Sequence, residues 1–258
     1  MTYRQLNAEK TIETLDILER RIQERFDGSS LCKVARELSD IAREARARVA
    51  WIDRPHLGLR VAVLAVVLIG IAVAAFGFNQ LLSEHEGRIS LSEGIGMLES
   101  ATNEVIVIGA ALLFLFSLEV RVKRTRALRM LHDLRAVSHV IDMHQLTKDP
   151  SRILNAASAP TPSSPRRVLT PFQLTRYLDY CSELLSLIGK IAALYAQSLP
   201  DPVVVGAVND IETLTNGLSR KIWQKIVIIN ESAATDTAAA VTAPAQTPQN
   251  QASSDDIV

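Results

Sequence analysis

The chain has 258 residues, 48% hydrophobic and 22% charged, and its 28 basic and 28 acidic side chains cancel. That balance excludes a dedicated nucleic-acid binder, because phosphate contacts demand a basic excess. Aromatic residues make up only 5%, which favours helix-on-helix cores of Leu, Ile, Val and Ala, and the two cysteines, Cys32 and Cys181, form no C-x-x-C pair and read as small buried hydrophobes.

Residues 1–54 read as an N-terminal cytoplasmic helical arm. No cleavable signal peptide is visible in this polar stretch, so the first membrane segment has to act as the targeting signal. A first helix is expected over Glu9–Phe26, with Ile12, Leu15, Leu18 and Ile22 on one side. Asp27-Gly28-Ser29-Ser30 breaks it, glycine suiting the left-handed stop and serine the next N-cap. The second helix carries Leu31, Val34, Leu38, Ile41, Ala45 and Ile52 at three- and four-residue steps, a short coiled-coil seam. Asp53-Arg54-Pro55 ends it, because the residue before proline is pushed out of helical geometry.

Residues 55–80 hold the first transmembrane helix. Its centre, Val61 to Phe78, is eighteen residues without a charge, about 27 Å of helix and close to the hydrocarbon thickness of a bilayer. Gly70 with Ala74, and Gly77 beyond, supply a small-x-x-x-small pattern of the kind that lets helices approach closely in lipid. Residues 81–100 read as a short acidic periplasmic loop. The wider connection, Asn79 to Asn103, has Glu84, Glu86, Glu93 and Glu99 against Arg88 alone.

Residues 101–120 form the second transmembrane helix around Val105–Leu118, only fourteen residues between Glu104 and Glu119. About 21 Å is short for a crossing, so one glutamate is drawn toward the edge of the hydrocarbon. One reading makes Glu104 or Glu119 an ion or proton ligand in an oligomeric pore. The other sets Glu104 among the outer headgroups and pairs Glu119 with Lys123 one turn on. Arg43, Arg46, Arg48, Arg54 and Arg60 precede the first span, and Arg121, Lys123, Arg124, Arg126 and Arg129 follow the second. Positive flanks stay cytoplasmic, so both termini are expected inside and the acidic loop outside.

The helix is expected to continue through 121–147 with Leu128, Leu131, Leu134, Val137, Ile141 and Leu146 as an apolar stripe. On that helix His132, His139 and Asp142 share a face with Arg135. A metal site is disfavoured, since Arg135 would set a positive charge among the ligands. The alternative is a buried polar network with Tyr177, Asp179 and Tyr180 as partners. Residues 148–169 read as a Pro/Ser-rich linker, with Arg166-Arg167 able to touch anionic lipid. Residues 170–230 form a C-terminal helical hairpin: Thr170-Pro171-Phe172-Gln173 is a capping box, Leu199-Pro200-Asp201-Pro202 a capped turn, and the last helix ends near Asn230. Residues 231–258 read as a disordered tail.

No phosphate-cradling glycine loop, Gly-x-Ser-x-Gly elbow or paired nucleophile and base is present, so neither an enzyme nor a cofactor is expected. The segments His139–Pro150, Tyr177–Gln197 and Trp51–Pro55 resemble an uncharacterised group of bacterial two-span inner-membrane proteins over most of residues 10–230. That resemblance implies a bacterial plasma-membrane setting and no particular chemistry. In layout alone the chain is also similar to two-span effector domains of bacterial conflict systems. The expected fold is therefore all-α, a two-helix transmembrane hairpin with a cytoplasmic helical bundle formed by the N- and C-terminal arms. The expected partners are the lipid bilayer, a second copy of the chain, and a cytoplasmic protein of unknown identity. The expected role is a membrane anchor or scaffold, and the alternative is a homo-oligomeric channel lined by the second span.

Overall fold

The computed structural model describes residues 4–52, 57–84, 91–148, 150 and 169–242. These residues form six helices and no strand: α1 (Ala8–Arg25), α2 (Ser30–Ile52), α3 (Leu57–Glu84), α4 (Leu91–Leu146), α5 (Pro171–Ser198) and α6 (Pro202–Thr242).

The N-terminal arm is an antiparallel helix pair whose ends are set by polar caps. Asn7 starts α1, its Oδ1 accepting from the amides of Glu9 and Lys10 at 2.9 and 3.1 Å. Phe26 stops it, Gly28 turns the chain at φ 66°, and Ser29 Oγ caps α2 by accepting from the Cys32 amide at 3.3 Å. A left-handed φ carries a Cβ penalty that glycine lacks. The buried seam of α2 is Leu31, Ala35, Leu38, Ala42, Ala45 and Ile52, with Val34 and Ile41 only partly buried. Ala35 and Ala42 therefore occupy places expected for Val34 and Ile41, and their small side chains allow α2 close to its neighbours.

The capping box at α5 is present in full: Thr170 Oγ1 accepts from the Gln173 amide at 3.2 Å, and Gln173 Oε1 accepts from the Thr170 amide at 2.9 Å. Leu178, Leu184, Leu185, Ile188 and Ile191 on α5 are wholly buried, and α5 packs against α1, α2, α4 and α6. It is the central helix of the bundle, as its wide apolar face requires. At Gly189 the α5–α6 packing is at ordinary contact distance, a Cβ there standing 3.6 Å from Thr215 Oγ1.

Two boundaries differ from expectation. The acidic connection is largely helical, because α3 runs to Glu84 and α4 begins at Leu91. Leu, Glu, Met and Ala favour helix there, and two glycines cost only about 1 kcal/mol each. The last helix also continues past Asn230 to Thr242, where alanine-rich sequence without glycine or proline sustains it. The linker 151–168 and the tail from 243 lie outside the described residues.

The helix α4 joins two environments. From Val105 to Phe116 it exposes large apolar side chains, Phe114 67% and Phe116 71%. From Ala127 on, it buries Met130, Leu131, Leu134, Ser138, Ile141 and Gln145 at three- and four-residue steps within the bundle. Among the described residues one helix is long and apolar enough to cross a membrane, and it is α4; Val61–Gly77 of α3 is a shorter apolar segment.

Candidate functional site

The contact between α3 and α4 is built on Gly70. A Cβ on that residue would overlap Ile108 Cδ1, stand 3.1 Å from Ile108 Cγ1 and lie 3.8 Å from Glu104 Oε1. Hydrogen at this position is thus what admits the Ile108 side chain and the Glu104 carboxyl. Glu104 is half-buried, and its Oε1 is fully covered without a hydrogen-bond partner.

This contact fixes a register that the sequence did not reveal. Gly70 lies near the middle of the run Val61–Phe78, about 12–14 Å of helix from either end. The carboxyl of Glu104 therefore lies beside the midpoint of the apolar run of α3. Neither sequence reading of Glu104 named this neighbour. The second apolar run is short, so its packing partner reaches further out than the run itself.

On one side of Gly70 the helices touch: Ala62, Val63, Val66 and Val67 are half-buried, as are Ile108, Ala111, Leu112 and Leu115. On the other side they part. Residues 71–77 of α3 are exposed, including Ala74 on the Gly70 face, and so are Ser100, Ala101 and Asn103 of α4. Glu104 stands at the boundary between the packed and the exposed stretches of α4, and α3 carries no charge from Gly70 to Gly77. Thr102 Oγ1 is turned back onto the Leu98 carbonyl at 2.7 Å.

Glu119 is in a different state. It accepts from Lys123 Nζ at 2.9 Å, one turn further along the same helix, so its charge is compensated locally.

The histidine-rich stretch does not assemble as a network. His132 and His139 are exposed, while Asp142 is half-buried and accepts from Gln145 Nε2 at 2.6 Å. The buried stripe of α4 passes through Leu131, Leu134, Ser138 and Ile141, which turns the two histidines outward. Tyr177 instead meets Phe26 edge-on at 5.4 Å, Tyr180 lies under Arg21 and Arg176, and Asp179 pairs with Arg176 at 3.1 Å. Among the described residues no group of three His, Cys, Asp or Glu side chains is gathered that could hold a metal ion.

Four polar joints that cross between helices hold the bundle to α4. Arg124 pairs with Asp201 at 2.6 Å, and its guanidinium holds that carboxyl below the usual range. The Arg126 guanidinium stacks over Trp51 at 4.2 Å. Lys225 Nζ donates to the Gln145 carbonyl and side chain at 2.8 and 2.6 Å. His144 Nδ1 lies 3.3 Å from Ser30 Oγ, and burial, then Lys148, lowers its pKa. Each joint links residues far apart in sequence, so no local motif announced it. Both cysteines are free and buried, as read from the sequence, and burial pushes the Cys181 thiol up to about 12. A shallow groove of about 550 Å³ between α1 and α5, lined by Leu6, Ile17, Arg21, Glu183 and Lys190, gathers no chemistry beyond the Arg21–Glu183 pair.

No protein-family model, curated protein or solved structure matches the chain.

Proposed function

We propose that the chain is a two-span plasma-membrane protein, both ends cytoplasmic, whose helical bundle is an anchored scaffold for protein interaction or self-assembly. The observation that carries this reading is the change of character along α4. A helix apolar on every side calls for lipid, whereas one with a single apolar stripe calls for a core on one side and water on the other. The first description fits Val105–Phe116, and the second fits Ala127–Gln145. The apolar segment of α3, with Val61, Leu64, Leu68 and Ile69 exposed, adds the second span. Basic flanks beside both apolar runs support an inward orientation of the ends. The bundle has one continuous core from both arms. Catalysis has no part in this reading.

The test is fractionation and topology of the full chain. Recovery only with detergent, with reporters fused at either end active on the cytoplasmic side, supports the proposal. Recovery in the soluble fraction, or an end on the outer side, overturns it. Pulldown from detergent extracts then addresses the scaffold, and an isolated monomer without partners counts against it.

A second reading is a homo-oligomeric pore lined by α4. It is favoured by Glu104, because an ionisable side chain inside a span usually faces a hydrated or protein-lined path. Conductance in planar bilayers, lost in Glu104→Gln, supports it. Silent bilayers from verified oligomers remove it.

A further inference from the structure

The level of the bundle relative to the bilayer is set by α4, which runs unbroken from Leu91 to Leu146. Glu119 is the first charge after Glu104, so an α4 that spans the bilayer leaves the hydrocarbon near that residue. Exposed apolar side chains do not stop there: Leu118, Val120 and Val122 alternate with Glu119, Arg121 and Lys123. Arg124 follows Leu118 by about 9 Å of helix, and the headgroup layer of one leaflet is about 5–8 Å thick. Side chains on a helix lean toward its N-terminus, which for Arg124 is toward the membrane.

Whatever is fastened to Arg124 reaches the same layer. Asp201 is fastened to it at 2.6 Å, and the turn between α5 and α6 comes with it. Pro200 and Pro202 are exposed there, and Val203 is 49% exposed in the first turn of α6. The helix α6 runs beside α4 in the same direction, since its other joint, Lys225 with Gln145, lies at the far end of α4. The Val203 side chain, leaning toward the start of its helix, is thus directed at the bilayer. Leu6 adds a second exposed apolar group at this end, its amide donating to Gln197 Oε1 at 2.9 Å. The charges fit an anionic surface. Glu119 and Asp201 are compensated by Lys123 and Arg124, whereas Arg121 and Arg126 are exposed and pair with no carboxylate among the described residues. Arg126 lies over Trp51, a residue type that favours the headgroup level.

We propose that the base of the bundle is a lipid-binding surface seated in the inner-leaflet headgroup layer. Pro200, Pro202 and Val203 enter among the headgroups, and Arg121 and Arg126 meet the phosphates of anionic phospholipids. Seating the base holds the bundle upright and sets the exposed Trp223 of α6 about 30 Å from the bilayer. This inference rests on the two-span reading above and names the lipid that the cytoplasmic part takes.

The experiment places the full chain in vesicles of phosphatidylcholine and phosphatidylglycerol, with bimane attached to Phe114→Cys, Val203→Cys or Lys221→Cys; Cys32 and Cys181 are buried. Nitroxide lipids carry the quencher on the headgroup or on the acyl chain. Headgroup nitroxide should remove most of the fluorescence at Val203→Cys and leave Lys221→Cys, about 30 Å further along α6, unchanged. Equal, slight quenching at these two positions overturns the proposal. Replacing phosphatidylglycerol by phosphatidylcholine should weaken the quenching at Val203→Cys, as should Arg121→Gln combined with Arg126→Gln. Quenching indifferent to phosphatidylglycerol overturns the anionic ligand. Phe114→Cys reads the span independently, because acyl-chain nitroxide should quench it whatever Val203 does. Its escape from acyl-chain quenching overturns the two-span reading and the seat with it.

Discussion

Asp201 divides its carboxylate between a helix start and a neighbouring helix. Oδ1 accepts from the amides of Val203 and Val204 at 3.0 and 3.3 Å, and Oδ2 accepts from Arg124 Nη2 and Nε at 2.6 and 3.1 Å. The first pair starts α6, and the second fastens the α5–α6 turn to α4 just after its apolar stretch. A lost N-cap costs about 1 kcal/mol, and a lost hydrogen bond to a charged group roughly 1.5–3 kcal/mol. Asp201→Ala should therefore destabilise the bundle more than Asp201→Asn, which keeps an acceptor for the cap. Urea unfolding in detergent checks the order, and equal losses would contradict the double role. The sign with pH follows from the lowered carboxyl pKa: the contribution is complete above the unfolded value near 3.9 and disappears as pH falls through the folded one.

Gly70 and Ile108 should behave as a pair. The atom that a new Cβ would overlap is the end of a flexible side chain, so Gly70→Ala should be tolerated at a cost of about 1–3 kcal/mol as Ile108 changes rotamer. Ile108→Val removes the overlapping methyl and should recover much of that loss in the double variant. Gly70→Leu cannot be relieved in this way and should separate α3 from α4. Thermal stability in detergent for the four chains gives the cycle, and simple additivity would show that the two residues do not touch.

Lys225 joins α6 to the end of α4 through both oxygens of Gln145, the backbone carbonyl among them. Carbonyls at a helix C-terminus lack intrahelical donors and favour a cation. Lys225→Met keeps the apolar stem and removes the donor, so it should cost roughly 1–3 kcal/mol, read by urea unfolding. Lys225→Arg should recover part of it. An unchanged midpoint in Lys225→Met would show that water replaces the ammonium at no cost.

How far the sequence was legible depends on whether the signal is local. The capping box at Thr170, the stop at Gly28, the Asp201 cap and the Glu119–Lys123 pair all lie within four residues of their partners, and each appears where pattern reading puts it. The joints Arg124–Asp201, Lys225–Gln145, Ser30–His144 and Trp51–Arg126 span about 75 residues or more of chain, and no periodicity encodes a pairing over that range. Glu104 shows the same limit in one residue. Its neighbours in sequence mark it as the edge of an apolar run, whereas its neighbour in space, Gly70, marks the middle of another. The small-x-x-x-small pattern points to Gly70 as a contact, but not to its partner, and Ala74 in the same pattern is exposed. The histidines were misassigned because a seven-residue step defines a shared face without saying whether that face is inward.

His144 should give the bundle a stability step just below neutrality. Its ring faces Ser30 at the first turn of α2, with Lys148 four residues on along its own chain. Burial and the lysine both disfavour the imidazolium, and the positive end of the α2 dipole acts in the same direction. The folded pKa is therefore below the unfolded value near 6.5. At pH above that value neither state binds the proton, and the contribution is complete. As pH falls below it the unfolded chain takes up a proton that the folded chain resists, so stability declines until the folded pKa is passed. The neutral ring can accept the Ser30 hydroxyl through Nδ1, an arrangement that protonation ends. His144→Gln should flatten the decline below about pH 6.5, and Lys148→Met should reduce it. Urea midpoints across that interval make the measurement. A slope unchanged in His144→Gln would assign the step to another group and remove His144 from the joint between α2 and α4.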